Sequence, residues 1–395
     1  MPIALAITFF VVPLFPAFIT LTAVTVPGIS LVPPLAAYVL LGLTGVAALY
    51  AIAQLLAAPR ESVPMLVPLL LWMSATLLSA VLGFDPRGGL LFIGIFGLSV
   101  IWHVAIYRFF SQRNVTRFIF WSFLLSGALA ALAAIAMVIV RLPVSQYTIG
   151  HGRAIGTFIL PGELAGYLII YLPVAYAIAR VSRDARLRAL AWCGLLVGAT
   201  AFVLTFSRAG WVGFVTAAAF YATATQRIRR QYAALILLAG LAAILVVFNA
   251  HHNPSENYTR LSIWEAGLEI VRRFPLTGVG PFDFARIYPL VRLPDGDATA
   301  FHAHSFLLTV FAETGVVGLC AVIYAWWRFA LAMRDALRNA PRVNTVLALA
   351  LVAGLLGTWV QGLIDTVSVV IFGLWLPTMA LALACARFGL AEDSA

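Results

Sequence analysis

The chain has 395 residues, 63% of them hydrophobic and only 10% charged, with a mean hydropathy of +1.01. Soluble globular domains do not have this composition. Apolar runs long enough to cross about 30 Å of hydrocarbon recur from end to end, so the sequence reads as an all-α polytopic membrane protein and not as an outer-membrane barrel of short alternating strands. The net charge is +10 and every basic residue is arginine; the positive-inside rule accounts for that excess more simply than nucleic-acid binding does.

About twelve spans are expected in chain order, at 3–24, 34–57, 64–83, 88–107, 118–140, 162–179, 189–206, 209–225, 232–249, 303–327, 343–364 and 366–386. Pro13 and Pro16 interrupt the first, which membrane helices tolerate when neighbours re-satisfy the backbone. No charged region with a cleavage site precedes it, so that stretch is expected to be retained. The three cysteines, Cys193, Cys320 and Cys385, lie in apolar runs and offer neither a disulfide framework nor metal spacing.

One set of alternate loops holds sixteen arginines against five acids, and the opposite set holds nine arginines and ten acids. The first set is therefore expected on the cytoplasmic side, with both termini, and the second on the outer side. The bias leaves the outer arginines Arg87, Arg141, Arg153, Arg208, Arg260, Arg272, Arg273, Arg286 and Arg292 unexplained. Arg208 is the sharpest case, in a short turn between two spans, "TFSRAGW". Its position leaves two readings open: a partner for an anion at the outer mouth of a helix pair, or an interfacial arginine with its head in water.

An outer loop at 141–161 holds most of "GHGRAIGTFILPGE". The one long extramembrane segment is 250–302. Its "RLSIWEAGLEIVRRF" places Leu261, Trp264, Leu268 and Val271 at helical spacing, which predicts a short amphipathic helix lying on the membrane or on the bundle. "PLTGVGPFDF" follows with turn-forming glycines and prolines. His251 and His252 read as solvated. Asp295 and Asp297, in Pro-Asp-Gly-Asp, read as a turn rather than a metal site shared with His302. The segment ends in "FHAHSFLLTVFAETG", which opens the next span. If His302 and His304 were helical they would point about 200° apart, which argues against a paired metal site. Glu313 and Asp365 are acids in or at the end of spans, either of them functional or simply paired with an arginine. No glycine-rich nucleotide loop, Ser-His-Asp pattern or His-Glu-x-x-His zinc signature is evident.

In order and on one expected side, "RAIGTFILPGELAGYL", "TFSRAG", "RLSIWEAGLEIVRRFPLTGVGPFDF" and "HAHSFLLTVFAETGVVGL" resemble the O-antigen ligase and polymerase superfamily of bacterial envelope glycosyltransferases. The motifs cover roughly residues 150–320. Two departures stand out: Ser305 where the family reads Asn after the paired histidines, and Glu163 where it often has Asn. The first bears on a hydrogen bond near the site, the second on the glycan or acceptor.

The resemblance implies a GT-C type membrane fold in one transmembrane domain, 1–395, with loop 250–302 as a lid. It implies transfer of a preassembled glycan from undecaprenyl pyrophosphate, without metal or other cofactor, to lipid A–core in a ligase. A polymerase would instead use a second lipid-linked repeat, and other relatives use protein hydroxyls. By the same resemblance His304 is the general base, and Arg153, Arg208 and Arg260 bind the pyrophosphate. His302, Ser305 and Glu313 support them. The implied location is the inner membrane, with the site on the periplasmic face, in contact with membrane lipids and with no nucleic-acid partner. A transporter is the alternative from another class. Spans nearly free of charge and polar groups gathered on one face favour a surface-working enzyme over it.

Overall fold

The computed structural model describes residues 1–14, 35–58, 62–112, 117–158, 160–225, 254–294, 296, 300–365 and 378–386, with a few isolated positions between 229 and 242. Among these residues every regular element is a helix: α1 (Pro2–Leu14), α2 (Leu35–Ala57), α3 (Leu66–Leu82), α4 (Pro86–Gln112), α5 (Arg117–Val140), α6 (Val144–Ile149), α7 (Pro161–Val181), α8 (Ala185–Leu204), α9 (Arg208–Ala224), α10 (Pro254–Arg273), α11 (Phe284–Val291), α12 (Phe306–Leu337) and α13 (Arg342–Gly362). Residues 378–385 are also helical. By length and composition six of the described helices can cross a membrane: Pro86–Phe110, Phe118–Val140 and the whole of α7, α8, α12 and α13. Most of the expected spans 232–249 and 366–386 and the end of 3–24 lie outside the described residues, as do His251, His252, Asp295 and Asp297.

The bundle is built around α7. Pro161 stands in its first turn, where a missing N–H costs nothing, and nearly every residue from Leu164 to Ala179 is buried. Tyr171 donates its phenol O–H to the Leu124 carbonyl of α5 at 3.0 Å. Helices α8, α9 and α13 complete the surround. Small residues let the backbones close in, as membrane packing favours. A Cβ on Gly213 of α9 would meet the Gly357 carbonyl of α13 at 2.4 Å, and one on Gly354 would meet the Ile170 Cα at 2.7 Å. Helix α1 packs on α5, α2 on α4, and α3 against both α4 and α12.

Loops expected on one side do share one end of the bundle. The Phe84 N–H meets the Val279 carbonyl at 2.9 Å, the Ala154 N–H meets the Leu204 carbonyl at 2.9 Å, and Gln361 Nε2 donates to the Gly162 carbonyl at 2.7 Å. The described residues of 254–303 fold there around a small core of their own. Ile263, Ala266 and Ile270 of α10 pack with Phe284, Ile287 and Tyr288 of α11, and with Ala303 and Ala312.

The helix expected in this segment is α10, and its apolar residues fall on two sides. The helix exists, but its buried face is Ile263, Ala266, Gly267 and Ile270, whereas Leu261 and Leu268 are 58% and 48% exposed. Of the four residues at the expected spacing, Val271 packs against this small core, whereas Leu261 and Leu268 stay on the exposed side.

The expected span 303–327 also differs. Helix α12 begins at Phe306, is broken at Gly315 (φ 63°, ψ −167°), and continues to Leu337. The break has a visible cause. The backbone of "PLTGVG" runs alongside, with the Val279 N–H on the Ala312 carbonyl at 3.0 Å, the Gly280 N–H on the Glu313 carbonyl at 2.9 Å, and the Val316 N–H on the Pro275 carbonyl at 2.9 Å. A Cβ at Gly315 would lie 2.2 Å from the Leu276 carbonyl oxygen, so only glycine fits both the conformation and the space. Arg328 and Arg334 consequently lie on the helix rather than in the loop after it.

Candidate functional site

Four helix ends and one helix face supply the site. The α8–α9 corner is made by "TFSRAG". Phe206 takes a left-handed conformation (φ 45°), the Ser207 N–H meets Thr205 Oγ1 at 3.3 Å, and Ser207 Oγ caps α9 by accepting the Gly210 N–H at 3.1 Å. Arg208 is thereby the first residue of α9, half-buried. Helices α9 and α13 run antiparallel with Gly213 against Gly357. Five residues further along each, about 7 Å of rise, Arg208 and Gly362 reach the same level. Arg153 lies in the loop pinned to that corner through Ala154, and its Nε donates to the Gly150 carbonyl at 3.1 Å.

Asp365 follows the last turn of α13, its N–H held by the Gln361 carbonyl at 2.9 Å. Its carboxylate joins two of the predicted residues. Oδ1 is 3.2 Å from His304 Nδ1, and Oδ2 is 3.7 Å from Arg260 Nη2. Arg260, on α10, also donates from Nη1 to the Ile364 carbonyl at 3.1 Å. The first turn of α7 backs this group: a Cβ on Gly162 would stand 2.8 Å from Asp365 Oδ2. Burial pushes the Asp365 carboxyl up, but the His304 hydrogen bond and the Arg260 charge outweigh it and hold the pKa below its ordinary value. An ionised carboxylate only accepts, so the tautomer of His304 that fits this contact carries its proton on Nδ1 and its lone pair on Nε2.

The two histidines are not on a helix, which overturns the premise that they point apart. Both precede α12 in a turn. His304 is left-handed (φ 47°), its N–H donates to His302 Nδ1 at 3.1 Å, and the rings sit edge to face with centroids 4.5 Å apart. Burial, followed by the neighbouring His304, pushes the His302 pKa down to about 4. His302 is therefore a neutral acceptor that fixes the turn. Ser305 is buried and stands at the N-cap of α12 without a side-chain capping bond.

Glu313 stands apart from this group. Its carboxylate accepts the backbone N–H groups of Phe282 and Phe284 at the start of α11, and its carbonyl accepts from Ser79 Oγ of α3 at 2.6 Å. Those contacts tie the "GVGPFDF" loop to α12 and α3. Among the described residues no three His, Cys, Asp or Glu side chains gather as metal ligands.

Sequence reasoning noticed Asp365 but left it out of the site; an acid at the end of an apolar run was the signal. It missed Gln361, which is fully buried in "TWVQGLID", donates from Nε2 to the Gly162 carbonyl, and keeps Oε1 buried without a hydrogen-bond partner. A lone amide inside an apolar run was the available sign.

The arrangement holds the His304 imidazole on a carboxylate that also meets the Arg260 guanidinium, at the bundle end where the N-termini of α7 and α9 carry partial positive charge that favours an anion. Residues 193–323 match the family model described as O-Antigen ligase. The match runs from within α8 to within α12 and includes Arg208, Arg260, His302, His304, Ser305 and Glu313, while Arg153 and Asp365 lie outside it. No curated protein matches the chain.

Proposed function

We propose, from a domain of the O-antigen ligase and polymerase superfamily that spans residues 193–323 of a polytopic helical membrane protein, that the chain is an O-antigen ligase. It moves a preassembled glycan from undecaprenyl pyrophosphate to lipid A–core at the periplasmic face of the inner membrane. The observation that carries the reading is the His304–Asp365–Arg260 constellation at the bundle end where α7 and α9 begin.

In this reading the donor pyrophosphate lies against Arg208, Arg260 and Arg153. Their planar guanidinium groups bind its oxygens and stabilise the charge that builds up as the sugar–phosphate bond breaks. His304 Nε2 takes the proton of the acceptor hydroxyl, whose oxygen forms the new bond to the sugar carbon. Asp365 holds the imidazole in the required tautomer and stabilises the imidazolium that results. Segment 250–302 covers the site, and Glu313 anchors it through the α11 N-terminus.

The test is transfer by the purified full chain, with a lipid-pyrophosphate-linked polysaccharide as donor and either lipid A–core or a second lipid-linked repeat as acceptor. The ligase reading expects glycan on lipid A–core. Elongation of the lipid-linked repeat with no modified core would establish a polymerase instead. A strain lacking the chain should accumulate polymer on the lipid carrier and leave bare core; core bearing one repeat would again mean a polymerase.

A further inference from the structure

His304 and Asp365 are carried by elements that meet end to end, one just before α12 and the other just after α13. A fixed spacing between them needs a joint between those elements, yet α12 and α13 otherwise pack sparsely. The break at Gly315 turns residues 306–314 back along the rest of α12. In an unbroken helix Phe306 and Trp326 would be separated by about 30 Å. Here their rings stack, with centroids 5.8 Å apart and planes at 20°. Trp326 also stacks on Trp359 of α13, at 4.3 Å and 19°. Trp326 is thus the middle ring of three, joining the short segment of α12, its long segment and α13. Phe306 is two residues from His304, and Trp359 is six from Asp365. A second contact lies beside the stack: a Cβ on Gly362 would sit 3.4 Å from Phe306 Cβ.

We propose that Trp326 is a positioning residue for glycan transfer, holding the start of α12 and the end of α13 at the spacing that keeps His304 Nδ1 on Asp365. Aromatic pairs in this offset geometry contribute beyond the area they bury, and one ring takes part in both contacts. Replacing it with an aliphatic side chain releases both helix ends together. The proposal rests on the catalytic reading of His304 and Asp365.

The experiment is single-turnover transfer from bound donor, with donor affinity measured separately, in full-length Trp326→Leu, Trp326→Phe and Asp365→Asn and in the Trp326→Leu/Asp365→Asn double variant. Misplacing a catalytic group by about 1 Å can cost about 10²-fold, so Trp326→Leu is expected to lose about 10- to 100-fold in turnover with donor affinity unchanged. Trp326→Phe, which keeps a ring, should retain most activity. In the Asp365→Asn background the same leucine should add little, because the pair it serves is already broken. Wild-type turnover in Trp326→Leu, or an equal further loss in both backgrounds, overturns the proposal. If Trp326→Leu does not fold, Trp359→Leu, which removes the α13 ring of the stack, replaces it in the same cycle, and additivity there overturns it equally. If Asp365→Asn and His304→Ala transfer normally, the catalytic reading has failed instead.

Discussion

At the scale of single residues, the site's chemistry depends on one nitrogen being free and one being held. On the proposed reading His304→Ala removes the base and should slow transfer about 10²–10⁴-fold while leaving donor affinity nearly intact, since there the arginines hold the pyrophosphate. Single-turnover rates beside a donor-binding titration check it; normal turnover with lost affinity would make His304 a binding group. Gly162→Ala tests the carboxylate without deleting it. The added Cβ would stand 2.8 Å from Asp365 Oδ2 and displace it, so this variant should show the same kind of loss as Asp365→Asn. His302 makes a separate prediction about pH. Burial holds its pKa at about 4 instead of 6.5. Between those values the unfolded chain binds a proton that the folded chain lacks, so this residue's contribution to stability rises with pH across the window and falls on acidification from about 6.5 toward 4. Asparagine at 302 can accept the same N–H two residues on, as in an Asx turn, and does not titrate. The melting temperature in detergent should therefore drop less between pH 7 and pH 4.5 in His302→Asn than in the wild type. Equal drops would mean that His302 is not held neutral.

At the scale of elements, the break in α12 decides where the histidines lie. Gly315→Ala places a methyl group 2.2 Å from the Leu276 carbonyl in a left-handed conformation, which should cost roughly 1–3 kcal/mol in local strain alone. We expect faster protease cleavage in 274–284 and loss of transfer; wild-type protease resistance and activity would show that the break is not required. This element also shows what the sequence could and could not disclose. Apolar length placed most of the described helices to within a few residues, α7 at Pro161–Val181 against an expected 162–179, because the bilayer fixes how long an apolar run must be. It could not show that "HAHSFLLTVFAETG" turns back on the helix that follows. That turn depends on the "PLTGVG" backbone, some forty residues upstream, occupying the space beside Gly315. The same limit left open which side of α10 meets the bundle, since Leu261 and Leu268 match the helical period as well as Ile263 and Ile270 do. The candidate arginines and histidines could be named from local pattern. That Asp365 joins Arg260 and His304 could not, because 61 residues separate it from His304.

At the scale of the whole molecule, charge and geometry point to the same division. Arg153, Arg208, Arg260, His304 and Asp365 gather at the bundle end where α3, α5, α8 and α13 finish and α4, α7, α9 and α12 begin. Arg180, Arg183, Arg186 and Arg188 lie at the opposite end, where α7 passes into α8 and Asp184 caps the turn by accepting the Arg186 N–H at 2.9 Å. The positive-inside rule puts the arginine-rich turn in the cytoplasm, and a lipid pyrophosphate carrying a finished glycan would then be met on the far side. Two exposed positions test this directly in a background lacking Cys193, Cys320 and Cys385: Leu290→Cys on α11, where the side chain is 75% exposed, and Arg183→Cys in the α7–α8 turn. In intact spheroplasts a membrane-impermeant thiol reagent should label position 290 at once and position 183 only after permeabilisation. The reverse pattern would move the whole constellation to the cytoplasmic face. Labelling of both without permeabilisation would break the alternation of loops on which the sidedness rests.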